Sequence, residues 1–376
     1  MSFSEELKKH PDYTSPLLRQ FHSLLAPCDD AQLESLAQEA VRVTRRNFGQ
    51  TMRLFAPLYL SNECINTCKY CGFSRDNPIL RVTLDGLQLS KECQYLGDQG
   101  FRNVLLVAGE HPKFISSSYL EFCVEKAASI IPAVSIEVAP LKISEYVPLI
   151  QAGAEGVIVY QETYHPETYA DLHVQGPKKN FDWRVDTPER AHEAGFRRIG
   201  IGALFGLYEW RYEAMALARH LEFLQRVAWK SQLTVSFPRM RPAAGEFTPK
   251  YSLPDREFVQ LIIATRLCFP NVGIVLSTRE TPALRNALAP LGITMMSAGS
   301  HTEPGGYTHQ GHEDLHLTVK GKHQEPESLQ PGALAEEQFE IADTRSPEEI
   351  AQFLLSIGLD PIWKDWDTAI LQAKAS

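Results

Sequence analysis

Eight apolar runs of strand length, separated by helical stretches, constrain this chain more than any other feature. They read 57–61 (PLYLS), 103–108 (NVLLVA), 134–139 (VSIEVA), 156–160 (GVIVY), 198–202 (RIGIG), 233–238 (LTVSFP), 272–276 (VGIVL) and 293–297 (ITMMS). Helical stretches lie between them near 86–98, 117–130, 143–152, 187–194, 209–228, 254–268 and 280–289. The runs are nearly continuous in apolar residues, which is the pattern of a parallel sheet buried on both faces. About eight such units predict an α/β chain folded as a (β/α)8 TIM-type barrel. An open doubly wound sheet is the alternative.

The flanking segments read differently. Leu17, Leu18, Phe21, Leu24 and Leu25 recur at helical spacing, and a second amphipathic run covers Asp29 to Ala40. Residues 1–50 are therefore expected as a helical extension, 51–300 as the barrel and 301–376 as a C-terminal cap. Residues 299–340 are rich in glycine, proline and histidine and predict a loop or lid over one barrel end. A helix is expected over 346–371, with Pro347 near its start and Glu348 and Glu349 in the first turn. The net charge of −9 leaves no footprint for nucleic acid or an anionic membrane surface. No apolar run reaches transmembrane length, and MSFSEELKKHPDY lacks a signal-peptide core. Seven cysteines, three of them clustered, do not form a disulfide framework, so a reducing, cytoplasmic setting is expected.

Those three, Cys64, Cys68 and Cys71, are spaced C-x-x-x-C-x-x-C after the first strand. A helix carrying them would share one face, but Ser61, Asn62, Asn66, Thr67, Gly72 and Ser74 favour a loop. Thiolates converging on a loop suit zinc or an iron–sulfur cluster. Structural zinc needs a fourth ligand, and the nearest histidines in sequence are His22 and His111. Three ligands on a four-iron cluster would leave one iron open to a reacting molecule. A buried cysteine stripe and a zinc-stabilised binding protein remain the competing readings.

With Tyr70 before its last cysteine, the motif resembles the signature of radical S-adenosylmethionine (radical SAM) enzymes. The longer string YLSNECINTCKYCGFSRDN resembles their aromatic amino-acid lyase branch, and within it the thiamine-pathway tyrosine lyases. The resemblance runs from about residue 35 to the C-terminus. It implies a barrel, a [4Fe–4S] cluster on Cys64, Cys68 and Cys71, and S-adenosylmethionine on the open iron. It implies cleavage of the Cα–Cβ bond of L-tyrosine to 2-iminoacetate and p-cresol, with 5′-deoxyadenosine and methionine as co-products. It also implies a thiazole synthase partner and a reductant such as flavodoxin or ferredoxin. Hydrogenase-maturation tyrosine lyases and tryptophan lyases share the branch. The former carry extra C-terminal cysteines for a second cluster, whereas the last cysteine here is Cys268.

Functional residues of such barrels collect at the C-terminal ends of the strands. That rule selects Gly109 and Glu110, Glu137, Gln161 and Glu162, Arg239 and Arg241, Arg279 and Glu280, and Ser297 and Ser300. By resemblance, Glu110 accepts the cofactor ammonium and Arg184 lies near its carboxylate. Gly109 lets backbone approach the ligand closely. Glu137, Gln161 and Glu162 serve the ribose and methionine groups, and the backbone of RIGIGALFGL the adenine. A zwitterionic substrate wants an arginine fork for its carboxylate. Arg279 is assigned that role by resemblance, and Ser297 adds a hydroxyl donor. Arg239 reads equally as a structural ion pair. His309, His312 and His316 carry a spacing open to zinc, within a segment that also holds His301 and His323.

Overall fold

The computed structural model describes residues 2–9, 14–245, 247–324 and 336–364. Eight parallel strands form its centre: β1 (Thr51–Ser61), β2 (Asn103–Ala108), β3 (Ala133–Glu137), β4 (Ala154–Glu162), β5 (Arg198–Ala203), β6 (Gln232–Ser236), β7 (Gly273–Leu276) and β8 (Met295–Ser297). Each pairs with the next, and β8 returns to β1 through Arg53↔Met295 and Phe55↔Ser297, which closes the ring. The predicted barrel is the fold.

Alternation along the strands divides their side chains between two compartments. On β1, Leu54, Ala56, Leu58 and Leu60 are buried in the main core against the surrounding helices. Phe55, Pro57 and Tyr59 face the barrel interior. Helices follow the strands as the apolar pattern predicts, for example Gly86–Asp98, Trp210–Val227 and Asp255–Cys268. Asp85 caps the first of these by accepting from the Leu87 and Gln88 amides.

The N-terminal residues form helices Phe3–Lys9, Pro16–Leu24 and Asp30–Phe48. The third packs Ala37 and Ala40 on Ile263 of helix Asp255–Cys268. At the other end the structure departs from expectation. The helix starting at Pro347 stops at Ser356, because Gly358 at φ 75° turns the chain back. Asp360–Ile362 then adds a parallel strand beside Thr51–Arg53 of β1. The predicted continuation over 365–371 lies outside the described residues.

The polar segment after β8 is also more ordered than a plain loop. His316–Val319 and Lys322–Gln324 form a hairpin on the short strand Ile79–Arg81, just past the cysteine loop. Residues 325–335 of the expected lid are not described. Glu336–Phe339 crosses the barrel mouth, where the Gln338 amide donates to Thr302 O (2.9 Å) and Thr302 Oγ1 donates to Phe339 O (2.8 Å).

Candidate active site

The barrel opens at the C-terminal ends of its strands into a cavity. Tyr59, Val107, Glu137, Tyr160 and Glu162 line one side, and Ser236, Arg241, Arg279, Ser297 and Ser300 the other. The cysteine loop forms one rim of this mouth, with Cys71 lining it directly.

That loop has little apolar content, so polar contacts fix its course. The fully buried Arg81 donates to the carbonyls of Asn62, Phe73 (3.2 Å) and Ser74 (2.9 Å), and to Thr318 Oγ1 (2.6 Å). Thr67–Cys68 pairs antiparallel with His173–Gln175 after β4. The Lys178 amide donates to Asn66 Oδ1 (2.9 Å). Gly176, at φ 98°, passes so close to Asn66 that a Cβ would overlap it. Tyr70 Oη shares a 2.8 Å hydrogen bond with His173 Nε2. Burial pushes the Cys68 and Cys71 thiols up, and the nearby Lys178 ammonium opposes that.

The cofactor candidates divide by position. Asn66 Nδ2 donates to Glu110 Oε2 (2.7 Å), and the Ile65 amide to Glu110 O (2.8 Å), which holds Glu110 against the cysteine loop. Gly109 is needed for a different approach from the one expected. A Cβ there would overlap the carbonyl oxygen of Glu63, so this glycine lets the cysteine loop, rather than a ligand, come close. Glu162 adopts φ 73° and bonds Lys178 Nζ at 2.7 Å and Arg184 Nη2 at 3.5 Å. Burial raises its pKa, but the two cations outweigh that and hold its carboxyl below the usual range. Arg184 also donates from Nε to Tyr160 O (2.7 Å), which leaves Nη1 uncommitted among the described residues. Glu137 is pushed up to about 7 by burial and by the Glu162 carboxylate, against the pull of Arg279 and Arg184. Gln161 is buried and does not line the cavity, and its amide has no hydrogen-bond partner among the described residues.

The substrate candidates come together. Arg279 and Ser297, from the ends of β7 and β8, share the cavity wall. The Arg279 guanidinium stacks 3.3 Å above the Phe339 ring and makes no salt bridge among the described residues. Ser297 Oγ accepts from the Thr278 amide (3.0 Å), so its own hydrogen remains to be given. Arg239, by contrast, pairs with Glu280 through both Nε and Nη2 and with Asp255 at 2.7 Å. Its structural reading is the one the geometry supports. The histidines also disperse. His316 Nε2 bonds Glu63 Oε1 (2.8 Å), His301 Nδ1 bonds Glu303 (2.9 Å), and His309 packs on His312.

Residues 58–220 match the radical SAM superfamily, and residues 236–360 the biotin and thiamin synthesis associated domain. The chain is 42% identical over 352 residues to the 2-iminoacetate synthase of Escherichia coli, covering 93% of this chain and 88% of that one. It belongs to the 2-iminoacetate synthase family. The Salmonella typhimurium enzyme of that name is 41% identical over 347 residues, covering 92% and 86%. The crystal structure of HydG, a maturase of the [FeFe]-hydrogenase, superposes with a TM-score of 0.82 at 29% identity, covering 98% of this chain and 80% of that one. Methylornithine synthase (PylB), at 21% identity and a TM-score of 0.70, shares the fold. The chain is a radical SAM lyase by family, and the match implies a [4Fe–4S] cluster and S-adenosylmethionine.

The donor set suits a cluster of this family. Among the described residues no three His, Cys, Asp or Glu side chains are arranged around a single ion. Cluster thiolates each take a different iron and so need not meet at one point. Amide groups also point at the sulfurs: Asn66 Nδ2 is 3.6 Å from Cys64 Sγ, and Gln338 Nε2 is 4.0 Å from Cys71 Sγ. Such N–H···S contacts are a lever on cluster potential.

Several residues of the site escaped the sequence reading. Lys178 follows a Gly-Pro pair in the long β4–β5 connection, where the second basic residue beside Arg184 was the available signal. Asn66 stood inside the motif itself. Tyr59 and Tyr160 sit on predicted strands at inward positions. Gln338, which accepts from Tyr59 Oη at 2.8 Å, and Phe339 lie far along the chain and gave no local signal.

Proposed function

We propose that this chain is a radical SAM tyrosine lyase that cleaves the Cα–Cβ bond of L-tyrosine to 2-iminoacetate and p-cresol, for thiazole and thiamine synthesis. Arg279 carries the reading. It is a guanidinium with no salt bridge among the described residues, held flat by Phe339 on the wall of the cavity that the cysteine loop overhangs. A planar fork with a serine hydroxyl beside it suits an amino-acid carboxylate.

Cys64, Cys68 and Cys71 would hold three irons of the cluster and leave the fourth for S-adenosylmethionine. Once bound, cluster and cofactor supply one-electron reduction and hydrogen-abstracting radical chemistry. The chain's own residues bind, orient and exclude water. Glu110, its Oε2 fixed by Asn66, accepts from the cofactor ammonium. The free Nη1 of Arg184 meets the cofactor carboxylate. Glu162, kept anionic by Lys178, and Glu137 accept from the ribose and methionine groups. Arg279 and Ser297 fix the tyrosine carboxylate. Placement of this kind converts a bimolecular encounter into a unimolecular step. The imine product hydrolyses readily, so direct transfer to a thiazole synthase fits the chemistry.

Anaerobic turnover with S-adenosylmethionine, a low-potential reductant and each aromatic amino acid tests the proposal. We expect p-cresol from tyrosine. We expect Cys68→Ala to lose iron, sulfide and product together. Cluster-loaded protein that cleaves S-adenosylmethionine but yields no p-cresol would overturn the substrate assignment.

A further inference from the structure

Residues 186–189, DTPE, open helix Thr187–Ala194 with the composition of a capping box: an acceptor at the N-cap and a glutamate three residues on. The box does not close. Asp186 makes no cap hydrogen bond to its own helix. Both of its carboxylate oxygens are spent on Ser4 instead. Oδ1 accepts from the Ser4 amide (2.8 Å) and Oδ2 from the Ser4 hydroxyl (2.7 Å). Glu189 Oε1 likewise accepts from the Phe3 amide (2.8 Å). Carboxylates placed to cap one helix therefore cap the first turn of another, helix Phe3–Lys9, from the far side of the sequence.

That helix is seated firmly. Phe3 is fully buried, its ring stacked on His220 at 4.0 Å between centroids and edge-on to Tyr164 at 6.5 Å. Arg219 Nη2 donates to Glu6 O (2.6 Å). What it holds in turn is helix Phe181–Val185, a short segment that carries Arg184 and ends at Asp186. A helix of that length does not persist on its own hydrogen bonds. Lys8 pairs with Asp182 at the surface, which adds little, and the buried Ser4 holds Asp186. Positions 182 and 186 are four apart and share one face, whereas position 184, about 200° round the helix, projects from the other. From there Arg184 reaches Tyr160 O and Glu162 at the barrel mouth.

We propose that Phe3 and Ser4 are positioning residues for the cofactor. By fixing the outer face of helix Phe181–Val185 they set the direction of the Arg184 guanidinium, and with it the affinity for S-adenosylmethionine. The inference rests on the cofactor role proposed for Arg184. Among the described residues, no side chain of helix Phe3–Lys9 lines the cavity at the mouth, so the effect passes through the helix that carries Arg184. A brace that only added global stability would weaken every ligand alike. A brace on one face of the Arg184 helix weakens the group that Arg184 holds and spares the carboxylate pair at Arg279.

The test compares cluster-loaded wild type with Phe3→Ala, Ser4→Ala and Arg184→Ala. Calorimetry measures S-adenosylmethionine affinity, equilibrium dialysis measures tyrosine affinity at saturating cofactor, and iron and sulfide analysis measures cluster content. Hydrogen exchange over residues 181–190 is followed in cluster-free protein. We expect cofactor affinity to fall about tenfold in Phe3→Ala and about threefold in Ser4→Ala, with cluster content and tyrosine affinity as in wild type. Exchange over 181–190 should quicken in both. Ser4→Ala removes one hydroxyl and keeps the test valid if Phe3→Ala does not fold. Phe21→Ala, which empties the contact of helix Pro16–Leu24 with Phe269, is the control: its urea midpoint should fall while cofactor affinity stays at wild type. Wild-type cofactor affinity in the Phe3 and Ser4 variants, beside a weakened Arg184→Ala, would overturn this inference alone. An equal loss in Phe21→Ala would reduce the effect to stability and overturn it too. Wild-type affinity in Arg184→Ala would remove Arg184 from the cofactor site and take this inference with it.

Discussion

Under the proposed assignment, replacing Arg279 with alanine should separate substrate binding from everything else the barrel does. The guanidinium makes no salt bridge among the described residues, so its removal breaks no ion pair, although Glu137 loses one of the cations that hold its pKa down. What the fold loses is the stacking on Phe339, worth about 1 kcal/mol. What tyrosine would lose under that assignment is a bidentate, charge-assisted pair, in which each hydrogen bond contributes about 1.5–3 kcal/mol. Allowing for partial compensation by Ser297, a loss of about 3 kcal/mol corresponds to roughly 150-fold weaker binding. Lysine keeps the charge but not the fork, and should recover only part of that loss. The assay is equilibrium dialysis of tyrosine against cluster-loaded protein saturated with S-adenosylmethionine, alongside iron and sulfide analysis and p-cresol formation. Iron content and tyrosine-independent cleavage of the cofactor should match wild type. An alanine variant that binds tyrosine within threefold of wild type would remove Arg279 from the substrate site.

Other perturbations probe the scaffold. Gly109→Ala places a methyl group against the Glu63 carbonyl and should displace the cysteine loop; we expect iron and sulfide content to drop while far-ultraviolet dichroism stays native. Arg239→Ala leaves the buried Glu280 without its two-pronged partner; a stability loss of about 2–4 kcal/mol, read from the urea midpoint, is expected. Glu137 binds its proton more tightly folded (about 7) than unfolded (4.5), so it favours the fold at low pH and loses that contribution as pH rises through 7. Glu137→Gln, which does not titrate, should therefore gain stability relative to wild type between pH 5 and pH 8, by up to about 3 kcal/mol. Parallel stability curves for the two proteins would contradict that account.

Most of the barrel was legible because both of its signals are local. Strand-length apolar runs and helical periodicity place most barrel elements within a few residues, although β1 already begins at Thr51, well before the run at 57–61. The strand-end rule found Arg279, Ser297, Glu137 and Glu162 for the same reason: position on a predicted strand fixes position on the rim. Gln161 shows where the rule stops. One residue from Glu162, it is buried away from the cavity, because alternation and the register shift at Tyr160/Glu162 decide which side chain turns inward. The Lys178–Glu162–Arg184 cluster is tertiary, assembled by a connection that folds back over the rim, and no spacing rule contains it. The same holds for Gln338 and Phe339, which reach Tyr59 and Arg279 from the far end of the chain. The stop at Ser356 was missed because a lone glycine two residues later outweighed the apolar periodicity beyond it.

The cysteine loop raises a physical question that the motif alone does not answer. A stretch so rich in Ser, Asn, Thr and Gly loses about 1–2 kcal/mol per residue in backbone entropy when it is fixed, and it has few apolar side chains to offset that. Its order must come from polar groups elsewhere. Arg81 supplies three carbonyl contacts from one side, and Asn62 receives the Val82 amide at 2.8 Å while donating to Leu80 O at the same distance. Gly109 admits the loop backbone from a second side, and the His173–Lys178 segment grips it through strand pairing and Asn66 from a third. These braces come from β1, β2 and β4 connections, so the three sulfurs are positioned by the closed barrel rather than by their own segment. Each neighbouring strand then contributes to the inner side of the loop, where cofactor and substrate candidates gather. The hairpin after β8 is left to shape the outer side. A loop held this way packs Cys64 and Cys71 together against the same buried group of Tyr59, Phe73 and Val107. Radical chemistry at the barrel mouth depends on that fixed placement and on keeping water out.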